Sequence, residues 1–240
     1  MKFITTYKSP NYNLRKKNSN IKFIIIHYTA MYSLKETLKH LCDEKSKVSS
    51  HYLISKKGSI YVLVDNNKRA WHAGYSFWKG IKDINSNSIG IELENSGHYL
   101  DFEKYNSSQI NSLIKLIKYI KLKYNISKKN ILGHSDVSPW RKLDPGEKFP
   151  WKILEKNKLV YLPKIKKVNI DQKNKSTNLT NFKKNLKIIG YKIGINEKKD
   201  IIFKNVTKAF QMHFQQNFVT GLPNQETFLL AEKYNKDCID

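Results

Sequence analysis

Four consecutive apolar residues near the start of the chain, Phe-Ile-Ile-Ile at positions 23–26, have the pattern of a strand that is buried on both faces. The segment ends on His27, so the sequence predicts an imidazole at the end of this strand. Residues 51–54 and 60–64 are two more apolar segments, and Gly58 between them can adopt the positive φ of a tight turn. These two segments predict a β-hairpin.

Residues 89–94 alternate between apolar and acidic positions toward their end, which predicts another strand. In such a strand Glu92 and Glu94 share one face, while Ile91 and Leu93 share the other. The strand therefore carries an acidic face and an apolar face.

Apolar residues at three- and four-residue spacing predict the helices. Ser33 is placed to cap a first helix, with Glu36 three residues later completing a capping box, and this helix runs to about Glu44. A brief strand at 130–133 and a helix at about 150–157 end this part of the chain. The clearest helix is predicted from the stripe Ile110, Leu113, Ile114, Ile117 and Ile120.

The last third of the chain changes in character. Residues 158–177 are rich in Lys and Asn and show little periodicity, which predicts a linker. Helical patterns follow at 182–189, 206–214 and 225–234. We therefore predict an α/β fold, with a mixed central β-sheet flanked by helices in residues 1–157 and a small C-terminal three-helix domain in residues 178–240.

The strongly basic composition adds little to this picture. The chain of 240 residues has a formal net charge of +24, but 41 of its 44 basic residues are lysines spread over the whole sequence. Base readout and bidentate phosphate recognition favour clustered arginine, so we predict no specific nucleic-acid partner. A basic protein associated with nucleic acid stays a minor alternative, whereas long-range attraction to a polyanion such as a cell-wall polymer is reasonable.

No segment approaches the roughly 20 apolar residues that span a bilayer, so the sequence predicts no transmembrane segment. Residues 1–20 are polar and lack the apolar region of a secretory signal. We expect action in the cell envelope or periplasm, or after secretion, with an export signal that is missing or unconventional. The cytoplasm is the alternative.

Residues 133–146 place several polar side chains in a segment that proline and glycine are predicted to keep out of regular structure. His134 and Asp144 are candidate metal ligands, and His27 offers a third. Two imidazoles and one carboxylate leave a fourth tetrahedral position open for water, as a catalytic zinc ion requires. Asp136 is a rival ligand, and a histidine after a buried strand is more often a packing residue.

Five segments match one known family in sequence order; they are 23–27, 50–54, 69–74, 88–94 and 133–146. They resemble the type-2 N-acetylmuramoyl-L-alanine amidase family, whose superfamily includes phage lysozyme-like amidases and animal peptidoglycan-recognition proteins. The resemblance covers roughly residues 20–157, and five segments in the right order are together highly specific.

The resemblance implies that His27, His134 and Asp144 bind one zinc ion, with the aspartate standing where some relatives carry cysteine. Glu92 matches the family's acidic catalytic residue, and Lys142 matches a basic residue two positions before the third ligand. A carboxylate in this place can take the proton of the attacking water and pass it to the leaving amine, while an ammonium can stabilise negative charge on the carbonyl oxygen. Without the resemblance, Glu92 would be interpreted as a solvent-facing strand residue paired with lysine.

Trp71 and His72 lie in a matching segment and are predicted to bind substrate. Trp71 would line the groove, although aromatic core packing fits the sequence equally well. His72 and His51 also fit structural roles as hydrogen-bond donors near the ligands. The family pattern favours Asp144 over Asp136, which is expected to stabilise its loop through backbone hydrogen bonds. His213 matches nothing functional.

The C-terminal segment resembles the three-helix peptidoglycan-binding domain that is often attached to wall hydrolases. Short motifs around Gly190-Tyr191 and Phe214-Gln215 carry this resemblance, because the apolar stripes would also suit an unrelated helical bundle. Tethering to an insoluble polymer would raise the local concentration of substrate.

These resemblances predict a zinc-dependent hydrolase that cuts the amide bond between N-acetylmuramic acid and L-alanine in peptidoglycan or muropeptides, during cell-wall turnover or recycling. The alternative is a non-catalytic peptidoglycan-recognition module, since superfamily members that lose a metal ligand keep only binding. The presence of all three candidate ligands disfavours it. The sequence leaves intact wall and small anhydro-muropeptides open as substrates.

Overall fold

The apolar segment at residues 23–26 lies in β3 (Phe23–Tyr28), a fully buried strand of a six-stranded sheet. The computed structural model describes residues 1–165, 178–194 and 200–237. β3 pairs in parallel with β7 (Ser88–Leu93) on one side and with β8 (Ile131–Gly133) on the other. Burial on both faces accounts for the continuous apolar sequence of β3.

The remaining strands make the sheet mixed. β4 (Tyr52–Ile54) pairs in parallel with β7 and antiparallel with β5 (Ile60–Val62), which confirms the predicted hairpin. β1 (Phe3–Ile4) pairs with β5 at the edge, and the strand order is β1-β5-β4-β7-β3-β8. A separate two-stranded sheet joins β2 (Tyr12–Leu14) to β6 (Lys68–Ala70). The predicted mixed α/β architecture is confirmed.

The helices follow the apolar spacing of the sequence, and Ser33 caps the first of them by accepting the N–H of Glu36. None of the helices in the described part of the chain is long and apolar enough to cross a lipid bilayer. The helices are α1 (Leu34–Cys42), α2 (Ile84–Asn87), α3 (Ser107–Tyr124), α4 (His134–Val137), α5 (Trp151–Lys156), α6 (Leu179–Ile189), α7 (Asp200–Phe214) and α8 (Gln225–Lys236).

The short helix α4 differs from the prediction that residues 133–146 are irregular throughout. The segment begins with this helical turn because the Asp136 carboxylate accepts the N–H of Gly133 at 2.7 Å and so caps its start. Within residues 133–146 the first proline is Pro139, which follows the turn. The irregular conformation therefore begins beyond Val137.

The two faces of the sheet are covered by different helices. Ile24 and Ile26 belong to an apolar cluster with α3 and α5, whereas Phe23 and Ile25 belong to one with α6, α7 and α8. The first cluster also contains Leu159 and Val160, which fall in the predicted linker. Residues 166–177 of that linker lie outside the described residues, and the predicted domain boundaries stay a prediction.

Candidate metal centre and active site

Three side chains meet at the edge of the sheet where the parallel strands end. His27 is the fifth residue of β3, His134 is the first residue of α4, and Asp144 lies ten residues further along the same segment. The Nδ1 atoms of the two histidines are 2.9 Å apart, and each lies 3.0 Å from Oδ2 of Asp144. All three residues are buried. The structure thus brings together the three predicted ligands.

A chain of hydrogen bonds fixes the proton on His27. The Ser88 hydroxyl donates to the carbonyl of Ile84 at 2.6 Å, so its oxygen accepts from Nε2–H of His72 at 3.2 Å. Nδ1 of His72 therefore carries a lone pair and accepts from Nε2–H of His27 at 3.1 Å. The Nδ1 atom of neutral His27 is consequently unprotonated and directed at the cluster.

The carbonyl of Ala73 fixes His134 in the same tautomer. Nε2 of His134 lies 3.2 Å from this oxygen, which can only accept, so Nε2 carries the proton. The Arg141 guanidinium is 3.3 Å from the same nitrogen, but its shorter contact is a hydrogen bond to the Ala73 carbonyl. The Nδ1 atom of His134 is thereby left with a lone pair that points at His27 and Asp144.

The cluster therefore holds three electron-pair donors and no proton between them. Burial lowers the pKa of His27 to about 4, which keeps this imidazole neutral at pH 7. The Asp144 carboxylate lies against both Nδ1 atoms and supplies the one anionic oxygen of the cluster. Ligands on a tetrahedral zinc ion lie roughly 3.3 Å apart, within a few tenths of an ångström of the observed spacing. The donor set fits a metal ion.

Glu92 stands beside His27 because β7 pairs with β3 in parallel and in register. The two residues are direct cross-strand partners, so their side chains share one face of the sheet. Oε2 of Glu92 is buried and has no hydrogen-bond partner among the described residues. Burial raises the pKa of this carboxyl group well above its ordinary value, and the charge of Asp144 adds to the effect. Such a group suits proton transfer near neutral pH.

A cavity of about 230 Å³ opens beside the cluster, and the predicted residues Trp71, His72 and Lys142 all line it. The indole N–H of Trp71 donates to Oδ1 of Asn13 at 3.1 Å, which fixes the ring at the wall. Tyr99 lines the same cavity with 81% of its surface exposed. Sequence reasoning missed Tyr99, although its place in a loop that follows the Glu92 strand is a usable signal.

His72 lies deeper than a substrate contact requires, since both of its ring nitrogens are engaged by His27 and Ser88. Gly90 makes room for it: a Cβ atom at Gly90 would approach the His72 ring to 2.5 Å. His51 supports the same strand, because its Nδ1 accepts the N–H of Gly90 at 3.0 Å. The hydrogen bonds favour the structural role considered for both histidines, and the predicted substrate contact of His72 stays a prediction.

Asp136, the rival ligand, lies outside the cluster of possible metal ligands in the described residues. Its carboxylate accepts the Gly133 N–H, as expected, and also Nδ1–H of His213 at 2.7 Å and the Tyr191 hydroxyl at 2.6 Å. His213 and Tyr191 belong to the C-terminal segment. Sequence reasoning assigned no role to His213, and no local pattern marks this long-range contact.

Comparison with known proteins agrees with this geometry. A family model described as N-acetylmuramoyl-L-alanine amidase matches residues 17–147. The chain is 35% identical to the N-acetylmuramoyl-L-alanine amidase AmiD of Escherichia coli, over 90% of this chain and 84% of AmiD. It is 34% identical to the 1,6-anhydro-N-acetylmuramyl-L-alanine amidase AmpD of Haemophilus influenzae, over 60% of this chain and 86% of AmpD.

Two solved structures of relatives contain a ligand. The structure of E. coli AmiD with anhydro-N-acetylmuramic acid-L-Ala-D-gamma-Glu-L-Lys matches with a TM-score of 0.82 and 33% identity, over 92% of each chain. The structure of AmpDh3 from Pseudomonas aeruginosa with anhydromuramic pentapeptide matches with a TM-score of 0.81 and 29% identity, over 97% of this chain and 96% of AmpDh3.

The match over residues 17–147 confirms the resemblance found in the sequence, and the match to AmiD extends through the C-terminal helices. The chain belongs to the N-acetylmuramoyl-L-alanine amidase family of metal-dependent enzymes, which hydrolyse the amide bond between N-acetylmuramic acid and L-alanine.

Proposed function

We propose that this amidase holds one zinc ion on His27, His134 and Asp144. The observation that carries the proposal is the hydrogen-bond pattern that leaves both Nδ1 atoms unprotonated and within 3.0 Å of the Asp144 carboxylate. Two imidazole nitrogens and one carboxylate oxygen suit zinc and leave a fourth position for water or substrate. The second hydrogen bond of each imidazole orients its ring, as ligating histidines require.

A bound zinc ion would polarise the scissile carbonyl and lower the pKa of water at the open position. Glu92 is the group placed to handle the proton. Its carboxylate would take the proton from the attacking water and return it to the nitrogen of the leaving L-alanine. The raised pKa suits both halves of this transfer.

Lys142 lines the cavity together with Glu92 and Asp144. As the carbonyl carbon becomes tetrahedral, negative charge develops on its oxygen, and the Lys142 ammonium would stabilise that charge. We assign Trp71 to the wall against which the sugar or the peptide lies, since an aromatic face offers a flat apolar surface. Tyr99 would form part of the exposed rim of the cavity.

We propose muropeptides with an anhydro-N-acetylmuramic acid end as substrates, because the matched structures of AmiD and AmpDh3 contain ligands of this class. Intact wall is the second candidate. The net charge of +24 supports it, since long-range attraction would concentrate the enzyme at an anionic polymer. We further propose that the C-terminal helices bind peptidoglycan. We also propose that the enzyme acts in the cell envelope, and cell fractionation with specific antibodies would test this location.

Digestion of purified peptidoglycan and of synthetic anhydro-muropeptides, with and without a chelator, tests the function. Mass analysis should find free stem peptides that begin with L-alanine. Chelation should abolish their release, and added zinc should restore it. Cleavage within the stem peptide would contradict the proposal, and so would binding without any cleavage, which is the behaviour of a recognition module.

A further inference from the structure

Asp136 joins the segment that carries two candidate ligands to the C-terminal helices. It lies two residues after His134 in α4, and the N–H of Ser135 donates to the carbonyl of Asp144 at 2.8 Å. The backbone around Asp136 is therefore tied directly to both ligand positions. Asp136 is only 1% exposed, so its carboxylate is shielded from bulk water.

The C-terminal segment supplies two of the three donors to this carboxylate. The Tyr191 hydroxyl donates to Oδ1 at 2.6 Å, and Nδ1–H of His213 donates to Oδ2 at 2.7 Å. His213 is held between Trp151 and Phe214, with ring centroids 3.8 and 4.1 Å away and nearly parallel planes. Both donors are buried, so each has a fixed direction. A buried carboxylate depends on such donors.

Apolar packing holds the same elements together. Val137 of α4 and Leu132 of β8 share a cluster with Phe210 and Met212 of α7. The N–H of Lys79 donates to the carbonyl of Gly190 at 3.0 Å, next to Tyr191. The hydrogen bonds to Asp136 thus lie within an apolar interface, where a polar group that loses its partner is costly.

We propose that Tyr191 and His213 are positioning residues, which act through Asp136 to hold α4 so that His134 and Asp144 keep their metal-binding geometry. This inference rests on the proposed metal site. In this arrangement the C-terminal helices complete the catalytic centre in addition to any binding of the wall. Removal of either donor leaves the Asp136 carboxylate partly unsatisfied, and α4 shifts to relieve it.

Metal affinity of the full-length, metal-free chain tests this role. Co²⁺ is titrated into wild type and Tyr191→Phe, and the visible absorption of the bound ion reports its coordination. Zn²⁺ affinity is then measured by competition with a coloured chelator. We expect Tyr191→Phe to weaken metal binding about tenfold, in the range of changes to groups that orient metal ligands, and to alter the Co²⁺ spectrum.

A matched control separates positioning from general stability. Thr227 is fully buried in α8, and its hydroxyl donates to Gln215, far in sequence from α4. Thr227→Val also removes one hydroxyl from the C-terminal helices and should lower the melting temperature without changing metal affinity. At the other donor, His213→Leu should weaken metal binding, whereas His213→Asn, which keeps an N–H near the position of Nδ1, should restore most of it.

Wild-type affinity in Tyr191→Phe would overturn the inference while leaving the metal site intact. Equal losses of affinity in Tyr191→Phe and Thr227→Val would overturn it as well, because they would reflect stability alone. A wild-type chain that binds no Co²⁺ or Zn²⁺ would overturn both the metal site and this contact.

Discussion

The burial of Glu92 lowers the stability of the fold and prepares the carboxyl group for proton transfer. Burial raises the pKa of its carboxyl group well above the ordinary value of 4.5. The folded protein therefore binds this proton more tightly than the unfolded chain does. Ionised Glu92 destabilises the metal-free fold at pH values above the raised pKa, and the penalty disappears as the pH falls below about 4.5.

We therefore predict that Glu92→Gln lowers kcat by roughly 10²- to 10⁴-fold, because the variant cannot transfer the proton. The same change should raise the melting temperature of the metal-free protein at neutral pH, because the amide is neutral in both the folded and the unfolded chain and so avoids the free-energy cost of the raised carboxyl pKa. Steady-state kinetics and thermal unfolding across pH check both outcomes. Equal melting temperatures at neutral pH, or a kcat that does not change, would contradict this assignment.

Lys142→Ala should lower kcat by roughly 10²-fold while the metal content stays that of wild type, because the ammonium acts on developing charge and contacts no metal ligand in this role. Kinetics together with elemental analysis of the purified variant check this prediction. Lys118→Ala, an exposed position on α3, serves as the control for loss of one positive charge. Full activity in Lys142→Ala would remove the proposed role.

At this scale the sequence predicts the types of residue and not their proton positions. His27, His134 and Asp144 come together as expected because their motifs have recognisable neighbours in the chain. The tautomer of His27 depends on His72 and Ser88, whose contacts are set by strand pairing and a short helix. Information of this kind is absent from any local pattern.

Among the elements, β7 does the most for the site. Three alternate residues on one face of this strand contact or make room for the site. Ser88 accepts a hydrogen bond from His72, Gly90 leaves space for the His72 ring, and Glu92 lies beside His27. Strand alternation explains why all three share that face. The side chains on the other face pack into the core with α3.

A methyl group at Gly90 should therefore disturb the proposed metal site by displacing the His72 ring. We predict that Gly90→Ala destabilises the fold by about 1–3 kcal/mol and weakens zinc binding, because the added Cβ displaces the His72 ring that orients His27. Denaturant unfolding and chelator competition measure the two effects.

Gly80→Ala is the matched control for this prediction. A Cβ at Gly80 meets nothing within 4 Å, although its φ of +84° makes the substitution strained. This variant should lose stability and keep its zinc affinity. If both variants bind zinc as wild type does, His72 does not position His27.

The elements themselves were predictable where apolar periodicity is strong, as in α3 and β3. The helical turn α4 was not, because four residues are too few to show a period and the side chain of Asp136 starts the turn. The strand pairs were also outside the reach of the sequence pattern, apart from the hairpin. Their register, which sets Glu92 opposite His27, follows from packing of the whole sheet.

For the molecule as a whole, the C-terminal helices are part of the structure that surrounds the site. Phe23 and Ile25 of the sheet are buried in one apolar cluster with Phe182 and Phe210. The sequence predicts three helices there and also a separate domain, because periodicity reveals an apolar face without revealing what covers it. The cluster shows that the sheet covers part of that face.

A fragment of residues 1–165 should consequently be less stable than the full chain. We predict a lower melting temperature, binding of a dye specific for exposed apolar surface, and weaker zinc binding than the full chain. Thermal unfolding and dye fluorescence at matched concentrations check the prediction. A fragment that matches the full chain in stability and zinc binding would show that residues 178–240 form an independent unit.

The proton-free cluster of His27, His134 and Asp144 has a consequence for how the enzyme depends on its surroundings. The three donor atoms lie within 3.0 Å of one another in a buried place, and a metal ion bound by all three would tie β3, α4 and the segment around Asp144 together, so metal binding would add to folding stability. With zinc as the proposed ion, the free energy of unfolding would rise with the logarithm of the free zinc concentration above the dissociation constant. The supply of one trace metal would thereby set both the fraction of molecules that are active and the resistance of the protein to unfolding.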